Sequence, residues 1–422
     1  MKKLISILLF AMSLAAYSQN SNPTIERQLL QMLDKKDIFR LETVLEEKKS
    51  ELSQSLILYF EAHLQNAFNQ TEQSLQTIDI LLSNHGKELN DTLLRNVFFI
   101  KYDNLHKQTR YREATEALEI AMSLDSSDFA NWQGAYNIVA ALKEFPSQKI
   151  HISTDVTIPI SRNQFNHVIM QVMSGGQLED FIFDSGAMLS TVSESCAKRM
   201  GIHILESSVD VGNSIGSTVQ SKVGVADSLW IGDLLFENVA FLVLPDEGLS
   251  FPEINYTIHG IIGFPVMYQM KEVVIRKDES LTVVARPTKR NLHNLFLDGL
   301  SPIVQFEANS DTVLVNMDTG ANTTEFSEKY FTANKDKIAG KATLKTEQQG
   351  GAGGIVNVEV YELENVQIKI GGRELTIPTI TVRIDKLSLL DENYDGNLGQ
   401  NILMYFNKLI LNFENMYLAF ED

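Results

Sequence analysis

The chain has 422 residues, of which 44% are hydrophobic and 21% are charged, a composition typical of a globular protein with two or three domains. Its formal net charge of −18 argues against nucleic acid or an anionic membrane as the main partner, because both bind clustered lysine and arginine. The single cysteine, Cys196, excludes an internal disulfide, and we expect it to be buried in a short helix.

The first eighteen residues are typical of an export signal. Two lysines precede an apolar run, residues 4–17, that is shorter than the roughly 20 residues needed to span a bilayer. Residues 16–18 then supply the small side chains that a signal peptidase reads. We expect residues 1–18 to be a cleaved signal peptide and the mature chain to be periplasmic or secreted, without a membrane span. An uncleaved anchor is the alternative.

The next segment, residues 19–148, is poor in residues that break helices. Between residues 21 and 145 the only glycines are Gly86 and Gly134, and the only proline is Pro23. Apolar residues at spacings of three and four predict stacked amphipathic helices. The clearest of these helices are at residues 52–68, 75–82, 93–105 and 114–124.

The last of these predicted helices contains Ala114, Ala117 and Ala121, whose small side chains would let a neighbouring helix approach closely. It resembles the second helix of a tetratricopeptide repeat. Residues 58–82 repeat the pattern about 40 positions earlier, whereas repeats of that family are 34 residues long. The resemblance implies an all-α helical-repeat domain over residues 19–148. Such a domain would bind a protein partner or form a dimer surface, serve as a spacer, or act as an inhibitory prosegment.

After residue 150 the pattern changes to short β-branched and aromatic runs separated by Gly, Asn and Asp. Many short strands without long helices predict an all-β region, either a barrel or a sandwich. Examples of these runs are residues 239–244, 273–275, 356–361 and 379–384.

One segment of the β region occurs twice. Residues 181–187 read Phe-Ile-Phe-Asp-Ser-Gly-Ala, and residues 315–321, which begin 134 positions later, read Val-Asn-Met-Asp-Thr-Gly-Ala. Each copy is followed by a Ser-Glu pair that opens a predicted helix. A single Asp-Ser/Thr-Gly is a common turn, so the duplication matters more than the motif.

A second element is duplicated in the same order. Residues 260–263, Gly-Ile-Ile-Gly, begin 76 positions after the first aspartate, and residues 396–399, Gly-Asn-Leu-Gly, begin 78 positions after the second. Each copy then continues into an apolar strand and a hairpin, near residues 277–278 and 414–415. The matched order and spacing predict two related lobes, residues 149–288 and 289–422.

Each half resembles a lobe of the retropepsin-like aspartic peptidases, in which a hydrophobic-Asp-Ser/Thr-Gly-Ala loop precedes a hydrophobic-hydrophobic-Gly element. Two lobes in one chain are similar in plan to pepsin, while the short lobes and the Ala after Gly are similar to the retroviral and bacterial branch. The resemblance implies an all-β bilobal acid-protease fold and an aspartic endopeptidase without cofactor or metal. Asp184 and Asp318 would be its catalytic pair.

The resemblance also implies roles for the residues that follow each aspartate. The two loops would meet at the lobe interface, where Ser185 and Thr319 would cross-brace each other through hydrogen bonds from hydroxyl to backbone. Gly186 and Gly320 would let each loop turn tightly and present backbone amides to the carboxylates.

Two neighbouring carboxylates suffice for peptide hydrolysis, because they share one proton. The ionised group draws a proton from water while its partner donates to the scissile carbonyl, and the sequence does not assign these roles. Many pepsin-like enzymes have, where this chain has Ala187 and Ala321, a hydroxyl that lowers the pKa of an active-site carboxyl. We therefore expect a weakly acidic pH optimum rather than one near 2.

The family closes a hairpin flap over its substrate. The flap candidates are Gly216 and Ser217 in the first lobe and Gly351 and Gly353 in the second, and ordinary mobile hairpins are the alternative. The substrate would be a peptide or protein bound in an extended form.

Other motifs are weaker. Residues 212–216 fit the G-x-S-x-G pattern of serine hydrolases, but that pattern needs a following helix and a supporting histidine. The chain lacks the histidine and cysteine spacings of zinc sites, and the glycines of residues 350–354 lack the Lys-Ser/Thr of a phosphate loop. The alternative from another class is a non-catalytic peptide-binding or assembly protein on the same scaffold, although both motifs are intact.

Overall fold

A computed structural model describes residues 22–125, 129–212, 216, 218–340, 342–351, 354–387 and 390–422. Within these ranges the chain is helical up to residue 142 and rich in strands from residue 149 onward. The predicted change from a helical to a β-rich region is therefore confirmed. The predicted signal peptide, residues 1–18, lies outside the described residues.

The helical region begins with two helices that the sequence pattern did not single out, and the four predicted helices follow them. The helices of this region are α1 (Pro23–Asp34), α2 (Ile38–Lys48), α3 (Gln54–Ala67), α4 (Thr71–His85), α5 (Asp91–Lys107), α6 (Tyr111–Leu124) and α7 (Phe129–Leu142). The α3 and α5 helices start where Ser53 and Asn90 accept hydrogen bonds from backbone amides of the first turn. No helix among the described residues is long and apolar enough to cross a bilayer.

Close helix packing in this region follows from small buried side chains. Ala114, Ala117 and Ala121 of α6 are all buried, and α6 contacts both α5 and α7. Because an alanine side chain is small, the neighbouring backbones can approach each other along this face.

The remaining region consists of strands, of which β9 has 14 and β21 has 17 residues, with a few short helices. Its strands are β1 (Lys149–His151), β2 (Val156–Pro159), β3 (Ser161–Arg162), β4 (Val168–Ser174), β5 (Gln177–Phe183), β6 (Ser190–Ser193), β7 (His203–Ile204), β8 (Val209–Gly212), β9 (Thr218–Ile231), β10 (Leu234–Leu244), β11 (Ser250–Phe251), β12 (Tyr256–Thr257), β13 (Gly260–Ile262), β14 (Glu272–Arg276), β15 (Ser280–Val283), β16 (Leu295–Asp298), β17 (Ser301–Ala308), β18 (Asp311–Met317), β19 (Glu325–Phe326), β20 (Leu344–Gly351), β21 (Gly354–Ile370), β22 (Arg373–Arg383), β23 (Gly396–Leu398), β24 (Lys408–Asn412) and β25 (Tyr417–Glu421). Its helices are α8 (Glu194–Arg199), α9 (Phe264–Gln269), α10 (Glu328–Ile338), α11 (Leu390–Asn393) and α12 (Gln400–Leu403).

Two sheets of this region share one plan around the duplicated motifs. In the first sheet, β13 lies between β5 and β6, parallel to β5 and antiparallel to β6. In the second sheet, β23 lies between β18 and β19 with the same two orientations. The strands that precede the two aspartates, β5 and β18, therefore occupy equivalent places.

A third sheet joins the two halves of the β region. Its strand order is β2-β15-β14-β24-β25, and the antiparallel pairing of β14 with β24 sets Val273 opposite Leu411. Because β14 follows the first duplicated unit and β24 follows the second, this sheet ties the two units together.

The helical region packs directly against the β region. The Phe39 ring lies 5.6 Å from the Phe296 ring, and Lys36 Nζ lies 2.9 Å from a carboxyl oxygen of Asp298. One cluster of buried apolar side chains runs from α1 through both halves of the β region. Removing the helices would therefore expose apolar surface of the β region.

Candidate active site

The loops that follow β5 and β18 bring the two sequence-predicted aspartates together. The Asp184 amide donates to the Ile262 carbonyl at 3.0 Å, and the Asp318 amide donates to the Leu398 carbonyl at 3.1 Å. Each aspartate is therefore anchored to the second duplicated element of its own half. The two carboxyl groups also lie close enough to influence each other's charge.

The side chains of Ser185 and Thr319 link the loops through four reciprocal hydrogen bonds. Thr319 Oγ1 accepts from the Ser185 amide at 2.9 Å and donates to the Phe183 carbonyl at 2.8 Å. Ser185 Oγ accepts from the Thr319 amide at 3.0 Å and donates to the Met317 carbonyl at 2.7 Å. Both hydroxyl residues are buried, so water does not compete for these bonds.

The glycine after each hydroxyl residue makes room for the opposite carboxyl group. A Cβ atom at Gly186 would lie 2.6 Å from Cγ of Asp318, and one at Gly320 would lie 2.3 Å from Cγ of Asp184. The Gly186 amide donates to Asp184 at 2.8 Å, and the Gly320 amide donates to Asp318 at 2.9 Å. Any larger residue at either position would separate the two loops.

Ala187 and Ala321 contribute backbone groups to the site. The Ala321 amide donates to Asp318 Oδ1 at 2.9 Å, and the Ala187 amide also contacts its aspartate. Their carbonyls accept hydrogen bonds from the amides of Phe264, at 2.8 Å, and Gln400, at 2.9 Å.

The electrostatics of the pair favour a shared proton. Burial raises the pKa of Asp184, an effect that the Gly186 amide opposes. Burial, together with the charge of Asp184, raises the pKa of Asp318 well above its usual range. Asp318 is therefore the preferred site of the shared proton. Such a pair can act as base toward water and as acid toward a carbonyl oxygen.

Two further hydroxyls support the site and were missed in the sequence. Ser190 Oγ accepts from the Gly263 amide at 3.1 Å, and Thr324 Oγ1 accepts from the Gly399 amide at 2.9 Å. A Cβ atom at either glycine would lie 2.5 Å from a backbone carbonyl carbon of the neighbouring loop. Because Ser190 and Thr324 are also 134 positions apart, extending the duplication by a few residues would have found them.

Gln400 supports the second loop only. Its side-chain amide donates to the Thr319 carbonyl at 2.6 Å, and its side-chain oxygen accepts from Arg162 at 3.0 Å. The equivalent position of the first half is occupied by Phe264, so the duplication carried no signal for this residue.

His167 is a further side chain at the site that sequence reasoning missed. Its ring lies within electrostatic reach of Asp184. Burial lowers the pKa of His167, while the negative charge of Asp184 raises it. No repeated motif includes this histidine, since it lies before β4 and reaches the site only in the folded chain.

The two flap candidates that the structure describes lie at the ends of two hairpins. Gly216 lies between β8 and β9 with a φ of +75°, and a Cβ atom there would lie 2.7 Å from the Leu387 carbonyl oxygen. Gly351 pairs with Gly354 at the end of the β20–β21 hairpin. Ser217 and Gly353 lie outside the described residues.

The structure describes part of the competing sequence features. Gly212, the first residue of the G-x-S-x-G segment, ends β8, which pairs with β9 as an antiparallel hairpin. Residues 213–215 of the segment lie outside the described residues. Cys196 is buried in α8, and burial raises the pKa of its thiol to about 12. Within the described ranges, no three His, Cys, Asp or Glu side chains are placed to hold a metal ion.

A comparison with protein-family models finds a match in the first half of the β region. Residues 170–266 match a protein-family model described as aspartyl protease. The matched range contains Asp184 and the Gly-Ile-Ile-Gly element of the first half, and it spans less than a quarter of the chain. No curated protein matches the chain. The match supports an aspartyl-protease-like domain in the part of the chain that carries the first of the two aspartate loops.

Proposed function

We propose that the chain is an aspartic endopeptidase that hydrolyses peptide bonds with a water molecule activated between Asp184 and Asp318. The observation that carries the proposal is the carboxyl pair of Asp184 and Asp318, each packed against the glycine of the opposite loop and held by reciprocal hydrogen bonds between two equivalent loops. The aspartyl protease match over residues 170–266 supports it independently.

The electrostatics suggest how the two aspartates divide the work. Ionised Asp184 takes a proton from the water, whose oxygen bonds to the scissile carbonyl carbon, while protonated Asp318 donates its proton to the carbonyl oxygen. The carbonyl carbon now carries two hydroxyl groups. The C–N bond then breaks as Asp184 passes its proton to the leaving nitrogen, and one of the two hydroxyl groups returns a proton to Asp318. The stronger rise in the pKa of Asp318 favours this starting arrangement.

The proposed substrate is a peptide or protein bound in an extended conformation. Hairpin ends near Gly216 and Ser217, and near Gly351 and Gly353, would act as flaps that donate backbone hydrogen bonds and exclude water. The approach of Gly216 to the carbonyl of Leu387 supports a hairpin that reaches from the first half toward the second.

The proposal extends to the organisation of the chain. We propose a signal peptide at residues 1–18, a tetratricopeptide-like helical domain at 19–148, and acid-protease lobes at 149–288 and 289–422. The gap between β15 and β16 and the repeated sheet plan support the division into lobes. The mature protein would be periplasmic or secreted. N-terminal sequencing of the exported protein tests both the export and the removal of residues 1–18.

A non-catalytic peptide-binding protein on the same scaffold is the second candidate. The tight attachment of a helical region offers a surface for protein contacts, which favours this reading. The intact pair of aspartates, hydroxyl residues and glycines favours catalysis.

A peptide-library cleavage assay separates the two candidates. The wild type, Asp184→Asn, Asp318→Asn and the control Asp180→Asn would each be incubated across about pH 3–8, with and without pepstatin. Asp180 is exposed and lies only four positions before Asp184, so its substitution changes charge without touching the pair. Cleavage by the wild type and the control alone is expected. Cleavage that survives in both active-site variants would end the proposal, and absence of cleavage by the wild type at any pH would favour the binding protein.

A further inference from the structure

A buried cluster of three charged side chains lies in the second half of the β region. It consists of Arg383 at the end of β22, Asp391 of α11 and Glu325 of β19, and is called the Arg383 cluster below. Arg383 donates to the two carboxyl oxygens of Asp391 at 3.0 and 2.8 Å, and its Nη2 lies 3.2 Å from Glu325 Oε1. The three side chains are only 4%, 7% and 12% exposed. Because a planar guanidinium that holds buried carboxylates tolerates little displacement, the cluster fixes the segments that carry it.

The cluster is anchored beside the second catalytic loop through Glu325. This residue directly follows Thr324, whose hydroxyl accepts from the Gly399 amide at 2.9 Å. Its strand, β19, pairs with β22 on one side and with β23 on the other. A Cβ atom at Gly396 would lie 2.0 Å from the Glu325 carbonyl oxygen. The Glu325 backbone therefore has little room to shift relative to the loop.

One contact of the cluster reaches the β20–β21 hairpin. Gln349 Nε2 of β20 donates to Glu325 Oε2, while Arg383 approaches the other oxygen of the same carboxyl group. Gln349 lies two positions before Gly351, which pairs with Gly354 at the end of the hairpin. The bond thus ties the hairpin, close to its end, to the strand that follows the second catalytic loop.

A second contact of the cluster reaches the hairpin of the first half. Asp391 Oδ2 accepts from the Leu387 amide at 2.8 Å. The carbonyl oxygen of Leu387 is the atom that a Cβ at Gly216 would approach to 2.7 Å, at the end of the β8–β9 hairpin. Asp391 therefore holds in place the segment that the end of the first hairpin meets.

We propose that the Arg383 cluster sets the positions of both hairpin ends for the proposed peptide hydrolysis. Glu325 holds the β20–β21 hairpin through Gln349, and Asp391 holds the Leu387 segment against the β8–β9 hairpin. These side chains are positioning residues, because they act on the substrate through the hairpins. The kinetic part of this inference rests on the proposed peptidase function. The positional part does not, since it concerns contacts of the unliganded protein.

The first test breaks the bond between Gln349 and Glu325. Methionine has about the length of glutamine but cannot donate, so Gln349→Met frees the end of the β20–β21 hairpin. The matched control is Gln348→Met, because Gln348 is exposed and successive residues of a strand point to opposite faces. For a cleaved library peptide, KM should rise roughly tenfold in Gln349→Met with a smaller change in kcat, while the control keeps both constants.

The second test breaks the contact between Asp391 and the Leu387 segment. Asp391→Asn leaves one guanidinium and one carboxylate in the cluster but gives Asn an amide group that cannot accept from Arg383 or Leu387. Its control is Glu392→Gln, since Glu392 is the exposed neighbour that pairs with Lys386. Asp391→Asn should raise KM at least as much as Gln349→Met, and Glu392→Gln should not change it.

Hydrogen exchange followed by mass spectrometry tests the positions without any activity. In the unliganded protein, amides of β20 should exchange roughly tenfold faster in Gln349→Met than in the wild type, with β8 and β9 unchanged. In Asp391→Asn, amides of β8 and β9 should also exchange faster, while both control variants should match the wild type.

The outcomes separate this inference from the proposed function. Equal β20 exchange in Gln349→Met and Gln348→Met would overturn the inference even if the chain is a peptidase, and so would equal KM values in a chain that cleaves the peptide. Faster exchange in a chain that cleaves nothing would retain the positional part and reject the proposed function. If Asp391→Asn fails to fold, as judged by circular dichroism, the comparison of Gln349→Met with Gln348→Met decides alone.

Discussion

The hydrogen bonds between the two catalytic loops can be tested through Thr319→Val. Valine has nearly the shape of threonine but lacks the hydroxyl, so the substitution removes the bonds to the Ser185 amide and the Phe183 carbonyl. Both groups belong to the buried junction of the loops and would be left without this partner.

The structure sets the size of the effect. Two buried backbone groups lose bonds of 2.9 and 2.8 Å, and each unsatisfied buried group costs about 1–3 kcal/mol. We therefore expect Thr319→Val to lower the free energy of unfolding by roughly 2–6 kcal/mol. Thr319→Ser keeps the hydroxyl and should lose only about 1 kcal/mol for the missing methyl group.

The assay is urea unfolding followed by tryptophan fluorescence, in parallel with thermal melts. A matched control is Thr115→Val in α6, where a buried threonine hydroxyl donates to the Tyr111 carbonyl of its own helix at 2.8 Å. That carbonyl also takes part in the backbone hydrogen bonds of the helix. The control should therefore lower the free energy of unfolding by only about 1 kcal/mol.

If Thr319→Val and the control Thr115→Val lower the free energy of unfolding equally, within about 0.5 kcal/mol, the reasoning is refuted. It would mean that the loops do not depend on their reciprocal bonds. Loss of stability in Thr319→Ser as large as in Thr319→Val would contradict it as well, since the hydroxyl would then be irrelevant.

Further predictions concern the carboxyl pair and the helical region. Gly320→Ala, whose methyl would overlap the Asp184 carboxyl, should slow cleavage roughly 10²-fold or more, while Gly340→Ala, with no heavy atom within 4 Å, should leave initial rates unchanged. Asp318→Asn should raise the melting temperature near about pH 7 but not near pH 3, because a raised carboxyl pKa lowers stability only as pH rises through it. The same raised pKa predicts fastest cleavage at weakly acidic pH, and a rate maximum near about 2 would contradict it. A fragment of residues 149–422 should aggregate or melt earlier than the full chain in light-scattering and melting assays, and a soluble active fragment would show that the helices are a removable prosegment.

Much of the site was visible in the sequence because its geometry requires particular residue types. Only glycine fits at positions 186 and 320, where any Cβ atom would overlap the opposite carboxyl group. Only a hydroxyl can both donate and accept in the bonds made by Ser185 and Thr319. Such requirements act on both halves, so they appear as a duplication that can be read without a structure.

Other contributors were not predictable, because distant parts of the chain bring them to the site. His167 belongs to a turn outside both motifs, and Gln400 has no counterpart in the first half. The sheet that joins β14 to β24 and the packing of Phe39 against Phe296 depend in the same way on long-range approach. Local patterns of hydrophobicity predict elements but not which elements meet.

The central claim is that Asp184 and Asp318 together activate water. Its most direct test is kcat/KM for one library-derived peptide, measured at the wild-type optimum for Asp184→Asn, Asp318→Asn and the control Asp180→Asn. We expect each active-site variant to fall by roughly 10³-fold or more and the control to stay near the wild type. Activity of either active-site variant within about tenfold of the wild type would contradict the claim.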